Sequence, residues 1–264
     1  MKTLDGKLLL GWMTREEAIT ALCDACHFDP TMTPLKAEQL WQEYKQRVDA
    51  LPERASTAAT ELPLDSPERA VAEEFLSTAK QHGAKNVVEV MKVLPSDLLI
   101  NQFHIVTDLS NKYDGALAAP SPSWARTCLG FEMLSGKVNA QQTGNRIVAQ
   151  LPHAEYRGSF TPDGRLNIIE AQPMIGIVRV KGALWLSSGY HRAYAALRAQ
   201  NAPIFAAVVT HPVVPDVVLG SRSPRFSDYT SETLAMSVKM WRVRYELHVD
   251  VQARISQVRR FRSA

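Results

Sequence analysis

The sequence is poor in cysteine and contains no long apolar run. Three cysteines in 264 residues are too few for the disulfide framework that supports small secreted domains. The N-terminal apolar run is short and is interrupted by Asp5, so we predict no secretory signal. No later stretch reaches the roughly 18 to 20 apolar residues of a membrane helix. We therefore expect a cytoplasmic protein with no membrane partner.

The chain also has no large excess of charge of one sign, since its formal net charge is only +3. The charge is unevenly distributed, however, with 10 basic and 14 acidic residues in positions 1–85. The C-terminal segment 251–264 carries Arg254, Arg259, Arg260 and Arg262 and no acid. Two interpretations of this basic tail stay open: a solvated end, or a contact with nucleic acid or another polyanion.

The segment Cys23-Asp24-Ala25-Cys26-His27 matches the C-x-x-C-H attachment pattern of c-type haem. Both cysteines fall on a predicted amphipathic helix, where free cysteine packs like a small hydrophobic residue. A structural zinc site needs about four ligands, and Cys128 is the one other cysteine. We expect residues of a helix core here, with neither haem nor metal.

Residues 1–83 are predicted to form an N-terminal three-helix region. Thr14 and Glu17 have the spacing of a capping box. Thr33-Pro34 and Ser66-Pro67 are start signals for a second and a third helix. The connector 52–65 is small, polar and bracketed by prolines, which is typical of a flexible linker.

The pattern changes to strands in the second predicted domain, residues 84–264. A strand at 87–93, hairpins turning at Pro162-Asp163-Gly164 and Lys181-Gly182, and a helix–strand pair at 190–209 predict a mixed α+β sheet. Residues 110–146 are rich in Gly, Ser, Asn and Pro and predict an irregular insertion with one or two short helices. Strict alternation over 241–255 predicts one long C-terminal strand.

The strongest signal for chemistry is the strand–turn–helix segment around Ser187-Ser188-Gly189. Free backbone N–H groups at a helix start attract anions, and the two serine hydroxyls can donate to a phosphate. Arg192 in the first helical turn offers a planar fork for phosphate oxygens. The alternative is structural: Arg192 pairs with a carboxylate such as Glu170, and His191 is a satisfied core histidine.

The arrangement Gly189-Tyr190-His191-Arg192-Ala193-Tyr194-Ala195, with Pro203 leading the next strand, resembles the ParB/sulfiredoxin superfamily. The resemblance is specific over about residues 168–210, weaker over 86–101 and absent elsewhere. It implies a nucleotide-binding fold in which Ser187, Ser188, Gly189, Tyr190, His191 and Arg192 hold the phosphates of CTP or ATP, with or without Mg²⁺. Glu170, His191 and Arg192 are then the catalytic candidates.

The departures from the family limit which activity carries over. Tyr190 stands where sulfiredoxins have their catalytic cysteine, which argues against sulfinic-acid reductase activity. No helix-turn-helix pattern follows the motif, so chromosome partition does not carry over. The open classes are an NTPase, a phosphotransferase or a nuclease, and the alternative is a non-catalytic regulatory or protein-interaction module on the same fold.

Two weaker candidates lie upstream of the motif. His104 and Asp108 are four residues apart and would meet on a helical turn as an acid/base pair, although the flanking residues favour a strand-to-loop interpretation. Trp124-Ala125-Arg126 offers an indole and a guanidinium plane for stacking on a base, or alternatively covers a local core.

Overall fold

The computed structural model describes residues 3–25, 29–54, 59–81, 86–131, 139–143, 146–151, 156–160, 166–170, 174–180, 182–210, 223–241, 243–250 and 255–262. Among these residues the α-helices are α1 Arg15–Thr20, α2 Pro34–Asp49, α3 Ser66–Gln81, α4 Asp114–Leu117, α5 Ser121–Cys128 and α6 Tyr190–Arg198. The strands are β1 Thr3–Leu8, β2 Glu61–Leu62, β3 Val87–Val93, β4 His104–Val106, β5 Asn139–Thr143, β6 Arg146–Leu151, β7 Tyr156–Phe160, β8 Leu166–Glu170, β9 Gly176–Val180, β10 Ala183–Ser188, β11 Ile204–Val209, β12 Met236–Trp241, β13 Val243–Asp250 and β14 Ile255–Arg262. The expected α+β class is confirmed.

The three N-terminal helices form where their start signals predict them. Thr14 accepts from the Glu17 amide while the Glu17 side chain accepts from the Thr14 amide, a complete capping box. The Thr33 side chain caps α2 by accepting from the Lys36 amide. The third cap is Asp65, one residue before the predicted start, and it exchanges hydrogen bonds with Glu68.

The chain groups into two compact units. The larger consists of residues 4–131 and 174–240, and the smaller of residues 1–3, 132–173 and 241–264. A domain boundary at residue 83 stays a prediction. None of the helices in the described part of the chain is both long and apolar enough to span a membrane.

The larger unit contains a five-stranded sheet in the order β10-β9-β11-β3-β2 and a three-stranded sheet in the order β12-β1-β4. The five-stranded sheet is mixed, because β11 runs parallel to β9 and antiparallel to β3. Its main core brings together Ile177, Leu186, Tyr194 and Phe205. A second cluster packs β1 and β12 against α1 and α2.

The smaller unit contains a four-stranded antiparallel sheet in the order β14-β13-β6-β5 and the hairpin β7–β8. The hairpin matches the prediction in pairing Phe160 with Leu166. The prediction of one long C-terminal strand is wrong, because Asp250 pairs with Ile255 and the chain reverses between them. The alternation of apolar and polar residues runs from β13 to Ile255 without a break, so it does not mark the reversal.

Two further expectations change with the structure. In the basic tail, Arg259, Arg260 and Arg262 lie on β14, and both interpretations of the tail stay open. The interval 110–146 contains the expected short helices α4 and α5, but also β5 and core residues of α5. The connector 52–65 is held where the structure describes it: Arg54 pairs with Asp228, and β2 joins the five-stranded sheet.

Candidate functional site

The turn between β10 and α6 requires glycine at position 189. Gly189 is the N-cap of α6 and has φ 83° and ψ 24°, a left-handed conformation that residues with a Cβ adopt at a cost. A Cβ at this position would lie 2.8 Å from Ile175 Cγ1 and 2.9 Å from Ile175 Cα. Backbone conformation and lack of space therefore both exclude a side chain here.

The two serines before the glycine have different environments. A bulge between Leu186 and Ser188 interrupts the pairing of β10 with β9. Ser188 Oγ donates to the Met174 carbonyl at 2.8 Å and accepts from the Gly176 amide at 3.0 Å, so it holds the turn against β9. Ser187 is the more exposed of the two residues.

Gly176 on β9 makes room for this pair of hydroxyls. A Cβ at Gly176 would lie 2.8 Å from both Ser187 Oγ and Ser188 Oγ. The two hydroxyls can lie this close to β9 because its first residue has no side chain.

Arg192 is buried, with 3% of its surface exposed. Its Nη1 donates to the Thr127 carbonyl at 2.7 Å and to the Cys128 carbonyl at 3.1 Å. These are carbonyls of the last turn of α5, where a cation also meets the negative end of the helix dipole. A contact with phosphate requires an accessible guanidinium group, whereas that of Arg192 is enclosed because nearly all of α6 is packed in the core.

Contacts around Cys128 and Ile175 connect Arg192 to Gly189. The Cys128 carbonyl accepts from both Arg192 Nη1 and the Ile175 amide, the latter at 2.8 Å. Ile175 in turn lies directly against Gly189, three residues before Arg192. The last turn of α5, the start of β9 and the first turn of α6 are thereby fixed to one another. The acceptors in these hydrogen bonds are backbone carbonyls. Every residue has a backbone carbonyl, so no residue type in the sequence could have indicated these contacts.

The first-turn side chains of α6 differ in what they can offer a ligand. Tyr190 is buried, and its hydroxyl donates to the Leu186 carbonyl at 2.8 Å and lies 3.0 Å from Asn101 Oδ1. Burial raises the pKa of Tyr190 to about 12, so this hydroxyl stays protonated and part of the packing. His191 is only partly buried and is the titratable group of the turn that reaches the surface.

Cys128 is also inert under ordinary conditions. Burial raises the pKa of its thiol to about 12, and the reactive form of cysteine is the thiolate. The residue is fully enclosed in the main core. It contributes its carbonyl, not its sulfur, to the site.

Glu170 ends β8, opposite Tyr156, in the smaller unit, whereas the turn belongs to the larger one. The structure describes the backbone of Glu170 but not its side chain. Pairing of Arg192 with Glu170 stays a prediction, and the described hydrogen bonds of Arg192 go to backbone carbonyls. Cys26 and His27 of the C-x-x-C-H pattern lie outside the described residues.

The two weaker candidates, Trp124–Arg126 and the pair His104 and Asp108, make structural contacts. Trp124 is buried and its Nε1 donates to the Pro203 carbonyl at 2.9 Å, so it covers the core. Arg126 pairs with Glu74. His104 lies on β4 and Asp108 in the following 3₁₀ helix, where Asp108 Oδ2 accepts from the Asp5 amide.

A shallow groove lies elsewhere on the larger unit, across β1 and β12. It encloses about 500 Å³ and is lined by Asp5, Gly6, Lys7, Asp29, Thr107, Ser237, Val238 and Lys239. None of the predicted site residues lines it. Its walls carry charges of both signs, including the Asp5–Lys239 ion pair, and they converge on no reacting centre.

No protein-family model matches this chain, and neither a curated protein nor a solved structure is significantly similar to it. The resemblance to the ParB/sulfiredoxin superfamily thus rests on the motif at about residues 168–210 and on the weaker similarity over 86–101.

Proposed function

We propose that the turn Ser187–His191 binds the phosphate groups of a nucleotide, CTP or ATP. The observation that carries this proposal is the N-cap of α6. Gly189 has no side chain to cap the helix. The short helices α4 and α5 also lack a side-chain cap, whereas Thr14, Thr33 and Asp65 cap α1, α2 and α3. The first N–H groups of a helix have no acceptor within the helix, and an anion is the acceptor that the helix dipole favours.

Two further features support an anion at this position. Ser187 is exposed and lies two residues before the N-cap Gly189, and its hydroxyl is a candidate donor to the same group. The contacts of Gly189, Ile175 and Arg192 behind the turn hold its backbone in place. A fixed set of donors binds more tightly because little conformational entropy is lost on binding.

In this proposal Arg192 positions the turn and does not itself contact phosphate. His191 is then the titratable group closest to the bound phosphates and the candidate for proton transfer in an NTPase or phosphotransferase reaction. We assign no protein ligand to Mg²⁺, which usually keeps several waters and binds through substrate phosphates.

The burial of Arg192 favours a second candidate as well. Arg192 and Tyr190 are both engaged in packing, as expected if the fold has lost ligand binding and serves as a regulatory or protein-interaction module. The two candidates differ in whether the isolated protein binds a nucleotide.

Calorimetric titration and thermal unfolding with CTP, ATP and GTP, each with and without Mg²⁺, test the proposal. A nucleotide at 100 times its dissociation constant stabilises the folded state by about 2.7 kcal/mol. Ser187→Ala should weaken binding roughly tenfold or more, because a hydrogen bond to a charged group contributes about 1.5 to 3 kcal/mol.

Ser237→Ala is the matched control, since Ser237 is also an exposed serine on a strand but lies on β12. It should leave the affinity unchanged. If the wild-type protein binds neither nucleotides nor inorganic phosphate, the proposal is excluded. The second candidate, a regulatory or protein-interaction module, then stands.

A further inference from the structure

The C-terminal arginines are concentrated at one end of the hairpin formed by β13 and β14. Residues 241–264 contain six arginines, two acids and no lysine. Four consecutive register pairs hold most of them: Val243 opposite Arg262, Arg244 opposite Phe261, Tyr245 opposite Arg260, and Glu246 opposite Arg259. Eight positions thus carry four arginines and one acid, at the end of the hairpin away from its connection.

Aromatic residues occupy the same four pairs. Phe261 is opposite Arg244, and Tyr245 is opposite Arg260. Successive residues of a strand point to opposite faces, so the two arginine–aromatic pairs fall on opposite faces of the sheet. Each face of this corner therefore has one aromatic position and at least one arginine position.

Pairing turns these residues into an ordered array. Neighbouring strands lie about 4.8 Å apart, and residues two apart on one strand are separated by about 6.6 Å. In the order β14-β13-β6-β5, β14 is the outermost strand of the described sheet. Arginines on an outermost strand can discourage it from pairing with a strand of another molecule. This protective role does not explain why aromatic residues lie opposite the arginines.

We propose that the paired ends 243–246 and 259–262 form a binding surface for single-stranded nucleic acid on the face that carries Tyr245, Arg260 and Arg262. Arginines supply the phosphate contacts, and aromatic side chains stack on unpaired bases, the combination that single-strand-binding proteins use. A duplex offers the same phosphates but buries its base faces, so the aromatic positions favour the single strand. The proposal is independent of nucleotide binding at Ser187–His191, which belongs to the larger unit.

Fluorescence anisotropy with labelled oligothymidylate and oligouridylate, measured at several salt concentrations, tests it. Each phosphate contact adds about 0.7 to the slope of log affinity against log salt for a single strand. The double variant Arg260→Gln/Arg262→Gln should lower that slope by about 1.4. Tyr245→Leu, on the face that also carries Arg260 and Arg262, should weaken binding roughly fivefold to a hundredfold with the slope unchanged, since stacking is not a charge effect. Phe261→Leu, on the opposite face, should have little effect.

Two control variants carry changes in the larger unit. Arg179→Gln removes an exposed arginine of β9 and should leave the slope unchanged. Ser187→Ala should leave oligonucleotide binding unchanged, which separates this surface from the turn. Undetectable binding at low salt, tighter binding of a duplex than of its single strand, or an equal loss of slope in Arg179→Gln would each overturn the proposal. Melting temperatures of all variants show that the hairpin has stayed folded.

Discussion

Single residues decide what the β10–α6 turn can do, and Gly189 is the clearest case. Gly182 has the same φ of 83° but an ideal Cβ there meets nothing within 4 Å, whereas at Gly189 it meets Ile175 Cα at 2.9 Å. A side chain at Gly182 would therefore meet only the cost of the left-handed backbone, whereas a side chain at Gly189 would meet that cost and a steric clash as well.

We expect Gly182→Ala to lower the free energy of unfolding by about 1 to 2 kcal/mol, the cost of the left-handed conformation. Gly189→Ala should lower it by clearly more, because backbone atoms of Ile175 must move as well. Urea unfolding of both variants measures the difference. Equal losses would show that the contact with Ile175 relaxes at no cost.

Arg192 is a stability residue according to its contacts. We expect Arg192→Ala to reduce the free energy of unfolding by about 3 kcal/mol or more, because two carbonyls lose their buried donor and a cavity forms. Arg198→Ala on the same helix should cost less than about 1 kcal/mol, since its ion pair with Asp114 is exposed. Denaturant unfolding compares the two, and a stable Arg192→Ala protein would contradict the assigned role.

At the scale of elements, α3, α5 and β3 meet at one buried carboxylate. Glu68 is 1% exposed and accepts from Lys92 Nζ at 2.7 and 3.0 Å, from Ser121 Oγ and from the Asp65 amide. Burial by itself would raise the pKa of Glu68, but hydrogen bonds from Lys92, Ser121 and Asp65 outweigh it and the pKa is lowered.

A lowered pKa means that Glu68 stabilises the folded state above its unfolded pKa of about 4.3. This contribution is lost as the pH falls through the lower folded-state pKa. Glu68→Gln should therefore cost about 3 kcal/mol at pH 7, because Lys92 is left without its charged partner, and the cost should shrink towards pH 3.

Unfolding curves of the wild type and the Glu68→Gln variant across this pH range measure that difference. The exposed Glu73 on the same helix provides the control, and Glu73→Gln should change stability by less than about 0.5 kcal/mol at every pH. A cost of Glu68→Gln that does not vary with pH would contradict the role of its charge.

At the scale of the whole molecule, long-range ion pairs connect segments that are far apart in the chain. Arg54, in the connector after α2, makes two hydrogen bonds of 2.8 and 2.7 Å to Asp228, which is 174 positions away. Asp228 is 4% exposed and also accepts from the Arg225 amide. The connector that looks flexible in sequence is thus tied to the segment before β12.

We expect Arg54→Ala to cost about 3 kcal/mol of unfolding free energy, because a buried carboxylate loses its partner. Lys45→Ala, which breaks the exposed Lys45–Asp49 pair on α2, should cost at most about 0.5 kcal/mol. Chemical denaturation of the two variants tests the contrast, and equal effects would show that the Arg54 pair behaves like a surface pair.

The sequence by itself determined the local elements, because their signals act over a few residues. Caps at Thr14 and Thr33, the Asn201-Ala202-Pro203 break after α6 and the β9–β10 hairpin were all predictable from turn and cap chemistry.

Only the tertiary structure decided where the side chains of these elements end up. The position of Arg192 in a first helical turn fits both a phosphate ligand and a buried anchor, and the packing of α5 against α6 selects the anchor. The C-terminal alternation fits one long strand or a hairpin, and the pairing of Asp250 with Ile255 selects the hairpin. In both cases the deciding contacts join segments far apart or backbone groups that every residue has, and local sequence carries no record of them.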